Sequence, residues 1–517
     1  MAKRRERKGQ TRREVLQNAA MAGVAVSVSA HVGCAPAASA KRPNIILVFP
    51  DQHRHDAIAA AGDPVIKTPT MDRLISEGTL FEKMWCQSPV CRPARASLIT
   101  GRYPHQHGVT GNNTTDFDPA WPTFMKNLQA VGYTTSTFGK THYTQEFDAE
   151  EIADPNAKLD FDARKTHPFI QKFGFDYVVD EGGQWFPAMT GFVSGYTEFL
   201  KAHGMLETYQ QQIRAHWHSG EDHYTGFINN FPAEFDVVSF LAKESIDWLE
   251  NKRDKSKPFF LTYAPVKPHP PYSADPVWAA YYKDKAMPQG PRDIVKAPNP
   301  IWEAYLGKNY AKAKRKSPEA IDHSKRMYYA MISLVDQKVG EIMQALEKQG
   351  ELDNTWIFWS SDHGELMGDH NMFGKSQFYH PSVGVPGVVR PPKNMKVEKR
   401  ISSPAEVIDM SATFIDIAGA APLDASGRSL IPVMQGKQTP RYAFSEIKGR
   451  GDTLMVAVTD GRYRYTVEWN SKTPCEFFDL QEDPQELNNL INDPAGKKQA
   501  AQMQTDLIEP HMAGKVL

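Results

Sequence analysis

The fold of this chain can be predicted from one stretch near its beginning, Asn44-Ile45-Ile46-Leu47-Val48-Phe49-Pro50-Asp51. The stretch is a continuous apolar run that ends at a carboxylate. A strand that is apolar on both of its faces is typical of a parallel sheet, because helices cover such a sheet on either side. We therefore expect a buried parallel strand over residues 44–50, with Asp51 placed where the strand ends.

The same alternation of helix and strand recurs along the chain. Helices often end at a glycine, and glycines at 78, 132 and 350 mark the ends of three predicted helices. The predicted helices cover about residues 69–77, 123–131, 238–248 and 335–349, and strands at residues 133–138, 259–263 and 355–360 follow the last three. Repeated units of this kind predict an α/β fold, with a large, mostly parallel sheet sandwiched by helices.

The last part of the chain has a different pattern. An apolar helix is predicted over residues 407–419, and short strands at residues 453–458, 463–468 and 476–479 precede a terminal helix. We expect these strands to form a small antiparallel sheet with a helix, packed on the main domain. The predicted organisation is a main α/β domain over residues 41–440 and a small α+β subdomain over residues 441–517.

Polar side chains follow four of the predicted strands. These side chains are, in chain order, Asp51 and Gln52, Lys140 and His142, Lys267 and His269, and Asp362 and His363. Ligands of open α/β sheets bind at the carboxyl ends of the strands, so we predict that these groups form one site. Any one of them alone is more often a helix cap or an ordinary loop residue. Polar side chains after four strands, all at one edge of a sheet, favour a functional site.

Two long stretches, residues 143–232 and 267–322, interrupt the pattern. Both are long for plain connections, and we expect them to form the rim of a substrate pocket. The first stretch contains His216, His218 and His223 but no cysteine or carboxylate at a convincing metal-ligand spacing. A metal site is therefore not predicted there.

Length and composition are those of a soluble globular protein. The chain has 517 residues, of which 41% are hydrophobic and 23% charged. The net charge is −1, but residues 1–14 contribute seven basic and two acidic side chains, or +5, so the remainder has a charge of −6. A mildly acidic body argues against a general nucleic-acid-binding protein.

Residues 1–40 are predicted to be a signal peptide. Thr11-Arg12-Arg13-Glu14-Val15-Leu16 resembles a twin-arginine export signal, and the apolar stretch at residues 19–28 is too short to span a bilayer. Ala38-Ser39-Ala40 provides a cleavage site, and Cys34, in a lipobox-like setting, provides a weaker alternative of lipoprotein anchoring. We therefore expect a periplasmic or secreted bacterial protein without a transmembrane segment.

Cysteine usage does not predict a disulfide framework. The chain has four cysteines, and Cys34 lies in the predicted signal peptide. A bond between Cys86 and Cys475 is left open by the sequence but is not favoured by it.

The remaining cysteine, Cys91, lies among arginines, in Cys91-Arg92-Pro93-Ala94-Arg95-Ala96-Ser97-Leu98-Ile99-Thr100-Gly101-Arg102. Residues 96–100 predict a short helix, which places Cys91 at or just before a helix N-terminus, where negative charge is favoured. A thiol beside three arginines should ionise easily and bind anions. From charge alone, a buried cysteine beside a solvated arginine face is the simpler interpretation.

The spacing favours a different interpretation. C-x-P-x-R followed by x-x-L-x-T-G-R resembles the signature of type I sulfatases, a family of the alkaline phosphatase superfamily. In that family a formylglycine-generating enzyme oxidises the cysteine to formylglycine (3-oxoalanine). Cys91, Pro93 and Arg95 occupy the core of the signature, and Ala94 stands where the family often has Ser. The resemblance extends over most of residues 44–492.

The resemblance also implies a cation site at Asp51, Gln52, Asp362 and His363. Oxygen ligands suit a hard ion such as Ca²⁺ or Mg²⁺, whereas the imidazole leaves Mn²⁺ or Zn²⁺ open on chemical grounds. Sulfatases commonly have Asn or His at the position of His363, so the resemblance implies Ca²⁺ in preference to Mg²⁺ or Mn²⁺. Gln52 replaces a frequent Asp, which lowers the negative charge of the site by one.

The reaction implied by the resemblance begins with formylglycine at position 91, hydrated to a gem-diol. One hydroxyl attacks the sulfur of a sulfate ester, and deprotonation of the other expels sulfate and regenerates the aldehyde. Arg95 would stabilise the diol, and His142 would accept the second proton. The implied catalytic residues are Cys91, Arg95, Lys140, His142, His269 and Lys375.

The remaining three of these residues would serve the substrate. Lys140 and Lys375 would hold sulfate oxygens, and His269 or Lys375 would donate a proton to the leaving oxygen. We therefore predict an exported sulfatase that acts on a sulfated saccharide.

Two alternatives remain open from the sequence. Asp51-Gln52 with Asp362-His363 also resembles formylglycine-dependent phosphonate monoester hydrolases and phosphodiesterases, although the Lys140-x-His142 pair resembles sulfatases more closely. The second alternative is an exported carbohydrate-binding or scaffold protein in which Cys91 is never modified.

Overall fold

The structure of the chain is a computed structural model that describes residues 41–112, 117–144, 158–219, 224–292, 316–437, 441–449 and 453–515. The predicted signal peptide and His223 lie outside these segments. The described residues from Arg42 onwards belong to one compact unit, and the division predicted near residue 440 stays a prediction. None of the helices in the described segments combines the length and hydrophobicity that a membrane span requires.

The strands of the described segments include the four that the sequence predicts in the main domain. In chain order they are β1 (Asn44–Val48), β2 (Thr79–Phe81), β3 (Met84–Trp85), β4 (Thr134–Gly139), β5 (Lys158–Asp162), β6 (Tyr177–Val179), β7 (Thr190–Val193), β8 (Phe227–Ile228), β9 (Phe259–Ala264), β10 (Ser273–Ala274), β11 (Thr355–Trp359), β12 (Gly384–Val385), β13 (Val388–Arg390), β14 (Arg400–Ile401), β15 (Ala405–Glu406), β16 (Ala443–Lys448), β17 (Leu454–Thr459), β18 (Tyr463–Glu468) and β19 (Thr473–Asp479).

The helices include those that the sequence predicts, together with several that it does not. In chain order they are α1 (Pro69–Glu77), α2 (Cys91–Thr100), α3 (Pro104–His107), α4 (Phe124–Ala130), α5 (His167–Gln171), α6 (Gly195–Ala202), α7 (Leu206–His218), α8 (Val237–Asp247), α9 (Pro276–Tyr282), α10 (Pro318–Lys348), α11 (His380–Val383), α12 (Ile408–Ala418), α13 (Ile431–Met434), α14 (Pro494–Met503) and α15 (Glu509–Met512). Helix α10 begins well before its predicted start, because Ser317 caps it and Pro318 occupies its first turn.

The main sheet has eight strands in the order β14-β2-β13-β11-β1-β9-β4-β6. Strand β1 lies at its centre and is parallel to both β11 and β9, and β4 is parallel to β9 and β6. Strand β13 runs antiparallel to its two neighbours. The predicted α/β fold with a mostly parallel sheet is therefore confirmed.

Helices cover both faces of this sheet. Successive side chains of a strand point to opposite faces, and Ile45 and Leu47 of β1 pack in one core with apolar side chains of α2, α4 and α12. Ile46 and Val48 pack in a second core with side chains of α1, α8 and α10. Burial on both faces explains why β1 is a continuous apolar run rather than an alternating one.

The C-terminal sheet has four strands, β16-β17-β18-β19, and all neighbours are antiparallel. Its apolar side chains pack with Ala500, Met503 and other residues of the terminal helices. The sequence predicts the last three strands and misses β16, because Ser445 and Glu446 interrupt its apolar pattern although both are fully buried.

Glu446 is held in the interior by two imidazoles from distant segments. The carboxylate lies 2.6 Å from His105 Nδ1 and 2.8 Å from His511 Nε2, and it also accepts a hydrogen bond from the backbone N–H of His105 at 2.9 Å. Burial raises the pKa of Glu446, but the hydrogen bonds from the two imidazoles outweigh burial and bring this pKa to about 2. The cluster therefore joins β16 to α3 and to the terminal helix α15 through an ionised carboxylate.

We expect this carboxylate to make the stability of the fold depend on pH. Its pKa is about 2 in the folded chain and 4.5 ordinarily, so ionisation stabilises the fold above pH 4.5, by about 3 kcal/mol. That stability is lost as the pH falls towards 2. The difference in free energy of unfolding between the wild type and Glu446→Gln, measured by urea titration, should be large at neutral pH and shrink in acid. Glu250→Gln, at an exposed position, is the control. A difference that stays constant with pH would contradict the assignment.

Candidate active site

The candidate residues meet where four neighbouring strands of the main sheet end. Strands β11, β1, β9 and β4 are consecutive and parallel, so their carboxyl ends share one edge. Asp51 follows β1, Lys140 follows β4 directly, His269 follows β9, and Asp362 follows β11. This edge is where ligands bind in open α/β sheets.

Cys91 is the first residue of helix α2, and its side chain points into the same edge. Its Sγ atom lies 2.8 Å from Lys375 Nζ, 3.2 Å from His363 Nε2 and 3.9 Å from Asp51 Oδ1. The residue is only 1% exposed. The helix begins five residues before the predicted helical segment, because Pro93 is tolerated in a first turn. The predicted position of Cys91 at a helix N-terminus agrees with this geometry.

Four potential metal ligands, one of them Cys91, converge at this edge. Donor atoms of Asp51, Asp362, His363 and Cys91 all lie within 4.8 Å of one another. His363 Nε2 is 3.6 Å from a carboxylate oxygen of Asp51 and 3.6 Å from one of Asp362. Two ligands that bind one calcium ion at a right angle lie about 3.4 Å apart. The spacing and the oxygen-rich donor set therefore fit a divalent cation.

Gln52 lies beside these ligands. Its backbone N–H donates to Asp362 Oδ1 at 3.0 Å, and its amide Oε1 accepts from Lys375 Nζ at 2.9 Å. Its φ of 71° is in the left-handed region, which turns the chain sharply after Asp51. Lys375 Nζ thereby connects the amide oxygen of Gln52 to Cys91 Sγ.

Two buried ion pairs hold the carboxylates of the cluster. Lys140 Nζ lies 2.5 Å from Asp51 Oδ2, and Arg95 Nε lies 2.9 Å from Asp362 Oδ2. Burial raises the pKa of Asp51, but Lys140 and the other nearby positive charges outweigh burial, and the pKa lies well below its ordinary value. Asp51 is therefore ionised at neutral pH.

The position of Cys91 is electropositive. Burial and the charge of Asp51 raise the pKa of its thiol. The positive charges of Lys140, Lys375 and His363 outweigh both effects, and the pKa lies well below its ordinary value. A negative charge at the Sγ position is therefore stabilised. In a modified enzyme this position would belong to a hydroxyl of the hydrated aldehyde.

His142 is a neutral imidazole in this site. Burial, followed by the charges of Lys140 and Arg95, lowers the pKa of His142 well below its ordinary value. Its Nδ1 atom has no hydrogen-bond partner among the described residues. A neutral ring with an unoccupied nitrogen can accept a proton.

His269 and Lys267 follow the same strand but have different surroundings. Burial, followed by the charge of Lys375, lowers the pKa of His269 to about 3. Its Nδ1 atom lies 2.7 Å from the carbonyl oxygen of Pro270, which places the proton of the neutral ring on Nδ1. Lys267 instead forms a buried ion pair with Asp236 at 2.5 Å, so the structure places it in a packing role.

Two further carboxylates contact the site residues and are missed by the sequence analysis. Glu365 accepts hydrogen bonds from Gln52 Nε2 and from the backbone N–H of Gly374. Asp180 accepts one from the backbone N–H of Thr141, between Lys140 and His142, at 2.9 Å. The sequence signal for Glu365 is its place three residues after Asp362, and Asp180 has none.

His216, in the first of the two long stretches, packs against an aromatic side chain. The ring of His216 stacks on Phe227 at a centroid distance of 4.5 Å, and Trp217 contacts Trp185 edge to face at 4.6 Å. Cys86 and Cys475 are buried and are not joined by a disulfide bond, so the unfavoured pairing is not formed.

Two family models match the chain. The model described as Sulfatase matches residues 43–420. The model described as N-sulphoglucosamine sulphohydrolase, C-terminal, matches residues 368–512. Together they extend over most of the residues that follow the predicted signal peptide.

Known proteins resemble the chain over most of its length. The multifunctional alkaline phosphatase superfamily protein PehA of Trinickia caryophylli is 28% identical, over 88% of this chain and 92% of its own. The N-acetylglucosamine-6-O-sulfatase of Bacteroides thetaiotaomicron is 25% identical, over 91% and 85%. The crystal structure of the phosphonate monoester hydrolase of Agrobacterium radiobacter superposes with a TM-score of 0.72 at 25% identity, over 90% and 95%.

Proposed function

The chain belongs to the sulfatase family, within the alkaline phosphatase superfamily, and we propose that this sulfuric ester hydrolase acts on sulfated saccharides through a formylglycine made from Cys91. One observation supports the proposal above the others. Cys91 Sγ lies within 3.9 Å of Asp51, His363 and Lys375, which come from separate segments of the chain. This geometry supports a proposed nucleophile, cation site and proton donor around one point.

The proposed cation ligands are Asp51, Gln52, Asp362 and His363, and the proposed ion is Ca²⁺. A bound cation would draw charge from the sulfate oxygens and make the sulfur easier to attack. Lys140 and Arg95 compensate part of the carboxylate charge when they pair with Asp51 and Asp362. This compensation lets the acidic ligands lie close together in a buried site.

The proposed nucleophile derives from Cys91. A hydrated formylglycine would supply one hydroxyl for attack on sulfur and a second whose deprotonation releases sulfate. The N-terminus of α2 and the charges of Lys140 and Lys375 favour negative charge at this position. Arg95 is fixed beside it by Asp362, and the neutral ring of His142 is proposed to accept the proton.

Two lysines are proposed to serve the substrate. Lys140 would hold a sulfate oxygen, and Lys375 would donate a proton to the leaving oxygen. Lys375 suits this role better than His269, because its Nζ atom is 2.8 Å from Cys91 Sγ. His269 uses its only ring proton in the contact with Pro270, and we propose that it contributes a hydrogen-bond acceptor near the leaving group.

The saccharide substrate is supported by the relatives. One of them is an N-acetylglucosamine-6-O-sulfatase, and the C-terminal model bears the name of an N-sulphoglucosamine sulphohydrolase. We further propose that the chain is exported through its twin-arginine signal to the periplasm or the medium. A formylglycine-generating enzyme would be its partner before export, since the twin-arginine signal suits export of a folded, already modified enzyme.

Replacement of Lys140 by alanine tests the choice between sulfatase and phosphonate hydrolase. A sulfate monoester has three non-bridging oxygens to hold, and loss of one transition-state charge contact costs about 100- to 1,000-fold in turnover. We expect Lys140→Ala to lower kcat on an aryl sulfate by that factor. The wild type should have a higher kcat/KM on the aryl sulfate than on a matched aryl phosphodiester.

Lys267→Ala provides the matched control. Lys267 forms a buried ion pair with Asp236 at the same 2.5 Å separation that joins Lys140 to Asp51, yet it does not contact Cys91. Its loss should lower thermal stability and leave the ratio of sulfate to phosphodiester activity unchanged. If the phosphodiester is the better substrate and Lys140→Ala has little effect, the chain is a phosphonate hydrolase or phosphodiesterase.

A further inference from the structure

Glu365 lies behind the proposed cation site and is completely buried. One of its oxygens accepts a hydrogen bond from Gln52 Nε2. The other accepts hydrogen bonds from the backbone N–H groups of Gly374 at 2.6 Å and Met367 at 2.9 Å. One carboxylate thus contacts two segments of the proposed active site that are far apart in the chain.

The first contact determines how the Gln52 amide is turned. Glu365 accepts from Gln52 Nε2, so the NH₂ group of the amide faces Glu365. The amide oxygen then faces the opposite way, towards the proposed cation site, where it already accepts from Lys375 Nζ at 2.9 Å. Without an acceptor at position 365, either face of the amide could point at the cation.

The second contact fixes the turn that bears Lys375. Gly374 has a φ of 83°, a conformation that residues other than glycine rarely adopt. Its N–H is held by Glu365, and the next residue extends its Nζ atom to 2.8 Å from Cys91 Sγ. A shift of this turn would move the proposed proton donor away from the reacting position.

We propose that Glu365 is a positioning residue that turns the Gln52 amide oxygen towards the cation and holds Lys375 beside Cys91. The inference rests on the proposed function. It also explains why position 52 is an amide in this chain: an Asp or Glu there would bring a second carboxylate towards Glu365 in a buried site. The carboxyl group that position 52 lacks is found instead at position 365, in contact with the amide.

Glu365→Gln tests this inference by cation affinity. The introduced amide can still accept from Gly374 and Met367, but its NH₂ group opposes the NH₂ group of Gln52. Loss of a residue that orients a metal ligand typically weakens metal binding by about 10- to 100-fold. We expect the dissociation constant for Ca²⁺, measured by calorimetric titration of protein with an unmodified Cys91, to rise by that factor. A Gln52 amide that turns round no longer accepts from Lys375 Nζ, so kcat of the modified enzyme should fall more than KM changes.

Exchanging the amide and the carboxyl group between positions 52 and 365 distinguishes a positioning role from a purely structural one. In Gln52→Glu with Glu365→Gln, the introduced amide donates to the introduced carboxylate, whose other oxygen faces the cation. The double variant should recover most of the lost affinity. Gln52→Glu alone places two carboxylates in contact, and it should lower thermal stability in the absence of cation. If the double variant binds Ca²⁺ no better than Glu365→Gln, the inference is overturned.

Glu406→Gln is the matched control. Glu406 is also a buried glutamate, and burial, with a contribution from Asp409, raises its pKa to about 8, so an amide resembles its protonated form. We expect it to leave cation affinity unchanged.

The wild type separates this inference from the proposed function. Absence of sulfate-ester turnover in modified wild type would refute the function, whereas unchanged affinity in Glu365→Gln would refute only the positioning role. A wild type that binds no Ca²⁺, Mg²⁺ or Mn²⁺ would refute the cation site and the inference together.

Discussion

Cys91→Ala is expected to abolish sulfate-ester turnover while the fold remains intact. The Cys91 side chain provides the proposed nucleophile, and the other groups of the site have no substitute for it. The change removes a single sulfur atom, and the helix that begins at this residue favours alanine. Turnover on an aryl sulfate should fall to the background of the assay, with a circular dichroism spectrum like that of the wild type.

Cys86→Ala is the control for this variant. Cys86 is a buried free thiol close in the sequence, but it packs in the core rather than in the site. It should retain turnover with at most a modest loss of stability.

Mass spectrometry of the peptide that contains Cys91, from cells with a formylglycine-generating enzyme, should show the aldehyde. A peptide that always retains the thiol would refute the formylglycine assignment.

Asp362→Ala is expected to remove both activity and cation-dependent stabilisation. The change takes a charged ligand from the proposed cation site and leaves Arg95 buried beside no carboxylate at position 362. Removal of one partner of a buried ion pair costs about 3–5 kcal/mol. In the wild type, Ca²⁺ at 100 times its dissociation constant should add about 2.7 kcal/mol. Thermal denaturation with and without Ca²⁺ measures both effects.

Asp409→Ala separates these two effects. Asp409 forms a similarly buried ion pair with Arg441, outside the site. Its loss should lower the Tm without Ca²⁺ and leave the Ca²⁺-dependent rise intact, whereas Asp362→Ala should lose that rise. A wild type that binds Zn²⁺ stoichiometrically and does not respond to Ca²⁺ would show that the proposed ion is wrong.

The parts of the fold that the sequence predicts are those with long local signals. Strands β1, β4, β9 and β11 are runs of five or six residues in the interior. Burial on both faces makes β1, β9 and β11 largely apolar, whereas β4 is rich in threonine, which favours strands. Strand β13 has three residues, too few for a periodic pattern. Strand β16 is hidden because Glu446 is stabilised there by His105 and His511, and their proximity follows only from the complete fold.

The same distinction applies to the site. Asp51, Lys140 and Asp362 could be placed together because each follows a strand of one parallel sheet, and the carboxyl ends of such strands share an edge. Glu365 could not be placed, although it is near Asp362 in the sequence. Its main partner, Gln52, is 313 residues away, and its other contacts are to backbone N–H groups, which any residue type provides.

The burial of Cys91 bears on how active enzyme is made. Residues 91–95 form the first turn of α2, and all five are buried, so a modifying enzyme has no access to the proposed recognition segment in the folded chain. Under the proposed function, oxidation of the cysteine would therefore have to precede folding. During synthesis the two processes compete, and a chain that folds first keeps its thiol until it unfolds. The active fraction of a preparation is then set by the kinetics of that competition, and treatment of folded protein with the modifying enzyme cannot raise it.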